Sequence, residues 1–169
     1  MSALWAGEEQ RTLAPMTAAQ IDAVMAVEAT AYAFPWSRGN FIDSLAAGYC
    51  ARVLHGARRE LIGYFVAMSG VEEMHLLNIT VAPAFEHRGH ARFMIAALLL
   101  LCREQGAREL WLEVRESNAR ARAMYQRLGF AEVGVRKGYY PAPFGRREDA
   151  VVMSLKIEAG AAGANDALE

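Results

Sequence analysis

Covalent and metal frameworks are nearly absent from this chain. Its 169 residues include only two cysteines and four histidines. Cys50 and Cys102 have neither metal-ligand nor redox spacing, and both lie in apolar runs, so they read as inert buried thiols. No His/Cys set has metal-ligand spacing, and no metal is expected. A long apolar run is also missing. The longest strictly apolar stretch, 93–102, lies between Arg92 and Arg103. It is about half of what a membrane span needs and reads as a buried helix. The first ten residues do not follow a basic region with an apolar one, so no signal peptide is expected. Charge of one sign is not in excess. A net charge of −1 argues against a general nucleic-acid or anionic-membrane binder. One ordinary cytoplasmic domain over 11–157 is expected. A flexible segment 1–10 would precede it, and an Ala/Gly-rich tail, 158–169, with little to bury would follow as a disordered segment.

The hydrophobic pattern orders that domain. Residues 11–16 suit a short first strand. Thr17 and Gln20 form a capping box before Ile21, Val24, Met25 and Glu28, whose spacing makes a helix. Ser37 can cap a second helix carrying Phe41 and Leu45, with Gly48 at its end. Two β-rich runs, 49–55 and 61–68, flank a short joint and predict a hairpin. A strand over 75–81 stops before Pro83, which has no N–H to donate. A helix opens near Arg92, carries Met94, Ala97, Leu98 and Leu101 on one face and ends near Gly106. The run 110–114 reads as a strand apolar on both faces. Ala121, Met124, Tyr125 and Leu128 form a helical stripe. Two last strands, 130–135 and 150–157, flank an irregular stretch, 136–149. The order β-α-α-β-β-β-α-β-α-β-β predicts a mixed α/β sheet with its first four strands antiparallel.

The most informative residues are Glu86-His87-Arg88-Gly89-His90-Ala91, between the 75–81 strand and the helix. A small-residue loop entering a helix N-terminus is a ready anion site, because backbone N–H groups point outward and the helix dipole favours negative charge. No Gly-Lys-Ser/Thr follows, which excludes the Walker pattern, and the first glycine of G-x-G-x-x-G is absent. The expected ligand is a pyrophosphate other than those of NTPases or NAD, cradled by the N–H groups of His87, Arg88, Gly89, His90, Ala91 and Arg92. Glu113 interrupts the apolar run 110–114. Burial penalises the charged form of such a carboxylate, which suits a general base; a strand-end glutamate reaching water is the alternative. Tyr125 on its apolar stripe reads first as a core tyrosine. Glu72 and Glu73 form an acidic pair fit to receive a basic peptide, or a solvated turn. His55, His87 and His90 read as surface residues.

The loop after the fourth strand in this order resembles the GNAT family of acyl-CoA-dependent N-acyltransferases, from about 11 to 157. The resemblance is carried by Ala33-Phe34-Pro35-Trp36-Ser37, Asn78-Ile79-Thr80-Val81, Leu110-Trp111-Leu112-Glu113-Val114-Arg115, Ser117-Asn118-Ala119, Tyr125 with Leu128-Gly129-Phe130, Tyr139-Tyr140-Pro141, and Glu148-Asp149-Ala150 with Met153. These motifs point to the branch of the family that acetylates the N-terminal alanine of ribosomal proteins. The resemblance implies a mostly antiparallel sheet with a pantetheine-binding splay between strands 4 and 5, and acetyl-CoA as co-substrate. It places Ile79, Thr80, Val81 and Asn118 along the pantetheine, although Asn118 also suits a helix N-cap. It makes Glu113 the general base and Tyr125 the general acid, and it puts Tyr139 and Tyr140 in the wall of the peptide groove. The family loop usually opens on Gln or Arg; here it opens on Glu86, a carboxylate that is unfavourable near a pyrophosphate unless it points away or pairs with Arg88 or Arg92. The expected activity is acetyl transfer to the α-amine of a small-subunit ribosomal protein starting with alanine. The alternatives are a GNAT enzyme acting on a lysine or small-molecule amine, and a non-catalytic acyl-CoA-binding module.

Overall fold

The computed structural model describes residues 10–158; the remainder of the two terminal segments, 1–9 and 159–169, lies outside the described residues. Seven strands and four α-helices follow one another as the pattern predicts. They are β1 (Arg11–Pro15), α1 (Ile21–Ala31), α2 (Arg38–Ala46), β2 (Cys50–Gly56), β3 (Leu61–Ser69), β4 (Glu73–Val81), α3 (His90–Glu104), β5 (Glu109–Arg115), α4 (Ala119–Arg127), β6 (Ala131–Pro141) and β7 (Arg147–Lys156). The sheet runs β1-β2-β3-β4-β5-β7-β6. β1 pairs β2, β5 pairs β7 and β6 pairs β7, all antiparallel, whereas β4 pairs β5 in parallel. The parallel ladder joins Glu73–Leu76 to Glu109–Leu112 and ends there, although β4 continues to Val81 and β5 to Arg115. No helix among the described residues is long and apolar enough to cross a membrane.

The chain forms two compact units: residues 10–66 with 78–94, and residues 67–77 with 95–158. In the first, Ile21, Val24, Phe41, Leu54, Ile62, Tyr64 and Phe65 are buried. Burying each large apolar side chain contributes roughly 1.5–3 kcal/mol. The Phe41 ring stands edge-on to Tyr64 at 5.8 Å and tilts against Trp36 at 5.1 Å. The local signals hold at both helix starts. Gln20 Oε1 accepts the Thr17 N–H at 2.7 Å, opening a 3-10 turn, Ala18–Gln20, ahead of α1. Ser37 Oγ accepts the Asn40 N–H at 3.1 Å and caps α2. Gly63 on β3 has no room for a side chain, since a Cβ there would lie 2.5 Å from the Thr80 carbonyl oxygen.

One charge is buried in this first unit. Glu28, only 1 % exposed, continues the apolar face of α1. Its Oε2 accepts the Tyr64 hydroxyl, the Asn78 side-chain amide lies 3.3 Å from both carboxylate oxygens, and the Trp36 N–H donates to Oε1 at 3.0 Å. Thr80 Oγ1 donates to Asn78 Oδ1 and meets the Tyr32 hydroxyl, each at 2.7 Å. Burial pushes the Tyr32 phenol up to about 12 and raises the Tyr64 phenol further, so both stay protonated. Removing the carboxylate strands three donors, and breaking a buried charged network costs about 3–5 kcal/mol. Glu28→Ala is therefore expected to lower Tm by roughly 6–20 °C, at about 2–4 °C per kcal/mol for this size. Differential scanning calorimetry checks it; an unchanged Tm would mean the network adds nothing to stability.

In the second unit Met74, Leu76, Ile95, Leu98, Cys102, Leu110, Leu112, Phe130 and Met153 are buried. The run 110–114 is not apolar on both faces. Burial alternates along β5, with Leu110, Leu112 and Val114 inward and Trp111 and Glu113 on the other face. The stretch 136–149 is also more regular than expected, because β6 continues to Pro141, β7 begins at Arg147, and only 142–146 lies outside the strands. The register shifts between Arg136 and Tyr140. Gly138, at φ +58, makes that irregularity, and Asp149 closes it by accepting the Gly138 N–H at 2.8 Å and Lys137 Nζ at 3.1 Å. Glu148 ties the same hairpin by accepting the Ser117 N–H at 2.8 Å and Arg115 Nη1 at 3.0 Å. Hydrogen bonding to Ser117, then to Arg115, holds its carboxyl below the usual range.

Candidate active site

The anion loop lies in the first unit. α3 begins at His90, two residues before the expected start, so His90, Ala91 and Arg92 form its first turn. The Phe93 N–H donates to the Gly89 carbonyl at 3.1 Å, which makes Gly89 the residue that caps the helix. The N–H groups of the first turn therefore lack an acceptor one turn back. Gly89 sits at φ +80, and the space where a Cβ would stand is open for 4 Å. His87 also has a left-handed backbone, φ +67. This open, glycine-turned helix start fits a pyrophosphate held by backbone N–H groups. Glu86 is at the surface, with its Oε2 3.8 Å from His87 Nε2. His90 is a correction to the sequence reading, being 2 % exposed rather than a surface residue, with Nδ1 3.0 Å from Arg11 Nη1. On β4, Thr80 is buried in the Glu28 network, whereas Ile79 and Val81 are half-buried. The Ile79 carbonyl accepts the Tyr32 hydroxyl at 3.0 Å.

The second unit gathers the titratable groups. Glu113 has a side chain only 5 % exposed and is held from two sides. Its Oε2 lies 2.6 Å from His75 Nε2, and its Oε1 lies 3.0 Å from Arg136 Nε. The second contact is an ion pair off the hydrogen-bonding line, because Oε1 accepts no hydrogen bond. His75 stands opposite Trp111 in the parallel ladder, and their rings stack at 3.6 Å, 12° from parallel. Arg136 lies over both Trp111 and Tyr139, 5.7 and 5.8 Å from the ring centres. Tyr139 and Tyr140 pack edge-to-face at 4.9 Å. Burial first, then the Glu113 charge, raises both phenols. These tyrosines belong to β6 and not to an irregular loop.

Tyr125 is buried on α4, with its ring edge-on to Phe130 at 5.4 Å. Asn118 caps that helix, its Oδ1 accepting the Ala121 N–H at 3.1 Å. The acidic pair divides: Glu72 lies in the turn before β4 at φ +57, while Glu73 lies within β4. Glu73 lines a shallow cavity of about 190 Å³ with Glu109, Trp111, Val133, Val152 and Ser154. Three participants were missed by sequence reasoning. Glu28 carried a signal, a charge on the apolar face of α1. Arg136 and the pairing of His75 with Glu113 carried none, because they depend on strand register. Among the described residues no group of three His, Cys, Asp or Glu could hold a metal.

A sheet whose β4–β5 ladder stops short, an anion-ready helix start after β4 and a carboxylate on β5 define a class. The chain belongs to the acetyltransferase (GNAT) family, whose model matches residues 21–130. The [ribosomal protein bS18]-alanine N-acetyltransferase of Haemophilus ducreyi is 36% identical over 131 residues, 78% of this chain and 90% of that protein. The Escherichia coli K12 protein of the same name is 34% identical over 146 residues, 86% of this chain and 97% of its own length. The crystal structure of the ribosomal-protein-S18-alanine N-acetyltransferase from Escherichia coli superposes with a TM-score of 0.82 at 34% identity, covering 92% of this chain and 98% of that one.

Proposed function

We propose that this protein is a cytoplasmic enzyme that transfers acetyl from acetyl-CoA to the α-amine of a ribosomal protein beginning with alanine, of the bS18 kind. The observation that carries the reading is identity of 34–36%, over 78–86% of this chain and 90–97% of the relatives, to enzymes so named. The site supports it chemically. The loop around Gly89, with His87, Arg88, His90, Ala91 and Arg92, holds the pyrophosphate, and Ile79, Thr80, Val81 and Asn118 follow the pantetheine. The neutral amine nitrogen attacks the thioester carbonyl and passes a proton to Glu113. The C–S bond breaks, an amide forms, and the CoA thiolate takes the Tyr125 hydroxyl proton. Solvent resets both side chains, the proton lost by one matching that gained by the other. Tyr139, Tyr140, Glu72 and Glu73 flank the arriving peptide.

The deciding experiment compares intact ribosomal-protein masses from cells with and without this chain. A small-subunit protein starting with alanine is expected to lose its acetyl group when the chain is absent. Unchanged N-termini, with acetylation lost from lysines or a small amine instead, would replace this reading with the corresponding GNAT activity. A narrower test concerns the loop. A β-branched residue at φ +80 is strained by about 1–3 kcal/mol. Gly89→Val is thus expected to fold, since no atom crowds the new side chain, and to bind acetyl-CoA roughly 10–100-fold more weakly. Titration calorimetry giving wild-type affinity in the folded variant would remove the cradle from the site.

A further inference from the structure

The two oxygens of Glu113 are not equivalent. Oε2 is taken by His75, whose ring is fixed by the stack on Trp111 and whose side chain is 10 % exposed. A carboxylate can only accept, so in the ionised pair Nε2 carries the hydrogen and donates it. Oε1 accepts no hydrogen bond and is covered by the Arg136 guanidinium, on a side chain 48 % exposed. The register explains the pairing. His75 is the ladder partner of Trp111, and Glu113 is two residues along β5 on the same face. A histidine at this place on β4 therefore reaches the carboxylate diagonally.

We propose that His75 is the positioning residue of Glu113. By holding Oε2 it fixes the plane of the carboxylate and leaves Oε1 as the oxygen that receives the substrate proton, with Arg136 as the cation that yields its place to the amine. This rests on the reading of Glu113 as the base. Titratable or charged groups face Glu113 from two elements. His75 comes from β4, and Arg136, Tyr139 and Tyr140 come from β6, while its ladder partner on β7 is the apolar Val152.

The experiment measures pH–rate profiles of wild type, His75→Phe, His75→Gln and Glu113→Gln on a peptide beginning with alanine. Phenylalanine keeps a ring for Trp111 and removes the donor; glutamine keeps an amide donor. Loss of a hydrogen bond to the charged form disfavours that form. His75→Phe is expected to lower kcat about tenfold at pH 7 and to move the acid limb of kcat up by about one pH unit. KM for acetyl-CoA and for peptide should stay within about twofold. His75→Gln should hold the wild-type limb and recover most of kcat. A wild-type profile in His75→Phe overturns the proposal if Glu113→Gln is inactive. Equal losses in the two His75 variants with an unmoved limb overturn it as well, since they indicate packing alone. Wild-type turnover in Glu113→Gln removes the base reading itself and this inference with it.

Discussion

Glu113→Gln is expected to lower kcat by about 10²–10⁴-fold while acetyl-CoA affinity hardly changes. The range is that of losing a positioned general base. The amide is isosteric, so the contact with His75 survives and folding should too. It cannot take a proton from the amine. Arg136 then faces a neutral partner across the 3.0 Å contact and is released, which cannot compensate because an arginine has no basic site at neutral pH. Steady-state kinetics with a peptide starting with alanine, together with calorimetric titration of acetyl-CoA, separates the two effects. Normal turnover would mean that the proton leaves by another route. A loss of cofactor affinity as large as the loss of rate would mean that the residue shapes the site and does not act as its base.

The second large effect is in the choice of amine. An α-amine has a pKa of about 7.7–8.0 and a lysine about 10.4, and each unit above ambient pH costs about 1.36 kcal/mol to reach the neutral nucleophile. A lysine therefore starts roughly 3–4 kcal/mol behind, about two to three decades in rate. A peptide beginning with alanine should accordingly be acetylated about 10²–10³-fold faster than the same peptide N-terminally blocked and carrying a free lysine. Glu73 and Glu109, which line one cavity beside Trp111, should add a preference for basic residues after the alanine that fades with salt. Equal or faster reaction of the blocked peptide points to a lysine or small-amine enzyme. Failure to release CoA with any amine points to an acyl-CoA-binding module.

How much could be read from the sequence depends on how local each cause is. Helix and strand order follows from periodicity and caps within a few residues, as at Thr17, Ser37 and Gly89. The exceptions all have distant causes. Burial of His90 depends on Arg11, 79 positions away. Continuation of β6 through Gly138-Tyr139-Tyr140 depends on β7 and on Asp149 closing the bulge, so a segment that looks like a loop by composition is held as strand. The run Leu110-Trp111-Leu112-Glu113-Val114 looks apolar on both faces because Trp111 puts a large ring on the face that carries Glu113; burial alternates nonetheless, with His75 and Arg136 against that ring. Motif reasoning singled out Glu113 and Tyr125 as candidates but not His75 and Arg136, which contact Glu113, since a resemblance transfers named positions and these were not among them.

The missing side chain at Gly63 has a thermodynamic consequence. β3 approaches β4 so closely that a methyl group would meet the Thr80 oxygen at 2.5 Å, and Thr80 is further pinned through Tyr32 and Asn78. Under the acetyl-CoA reading this is the segment that follows the pantetheine arm. Its conformational entropy is lost when the chain folds and not when the ligand arrives. Association at this strand then resembles docking onto a rigid template, and the ordering penalty that remains at binding falls on the ligand's own flexible arm.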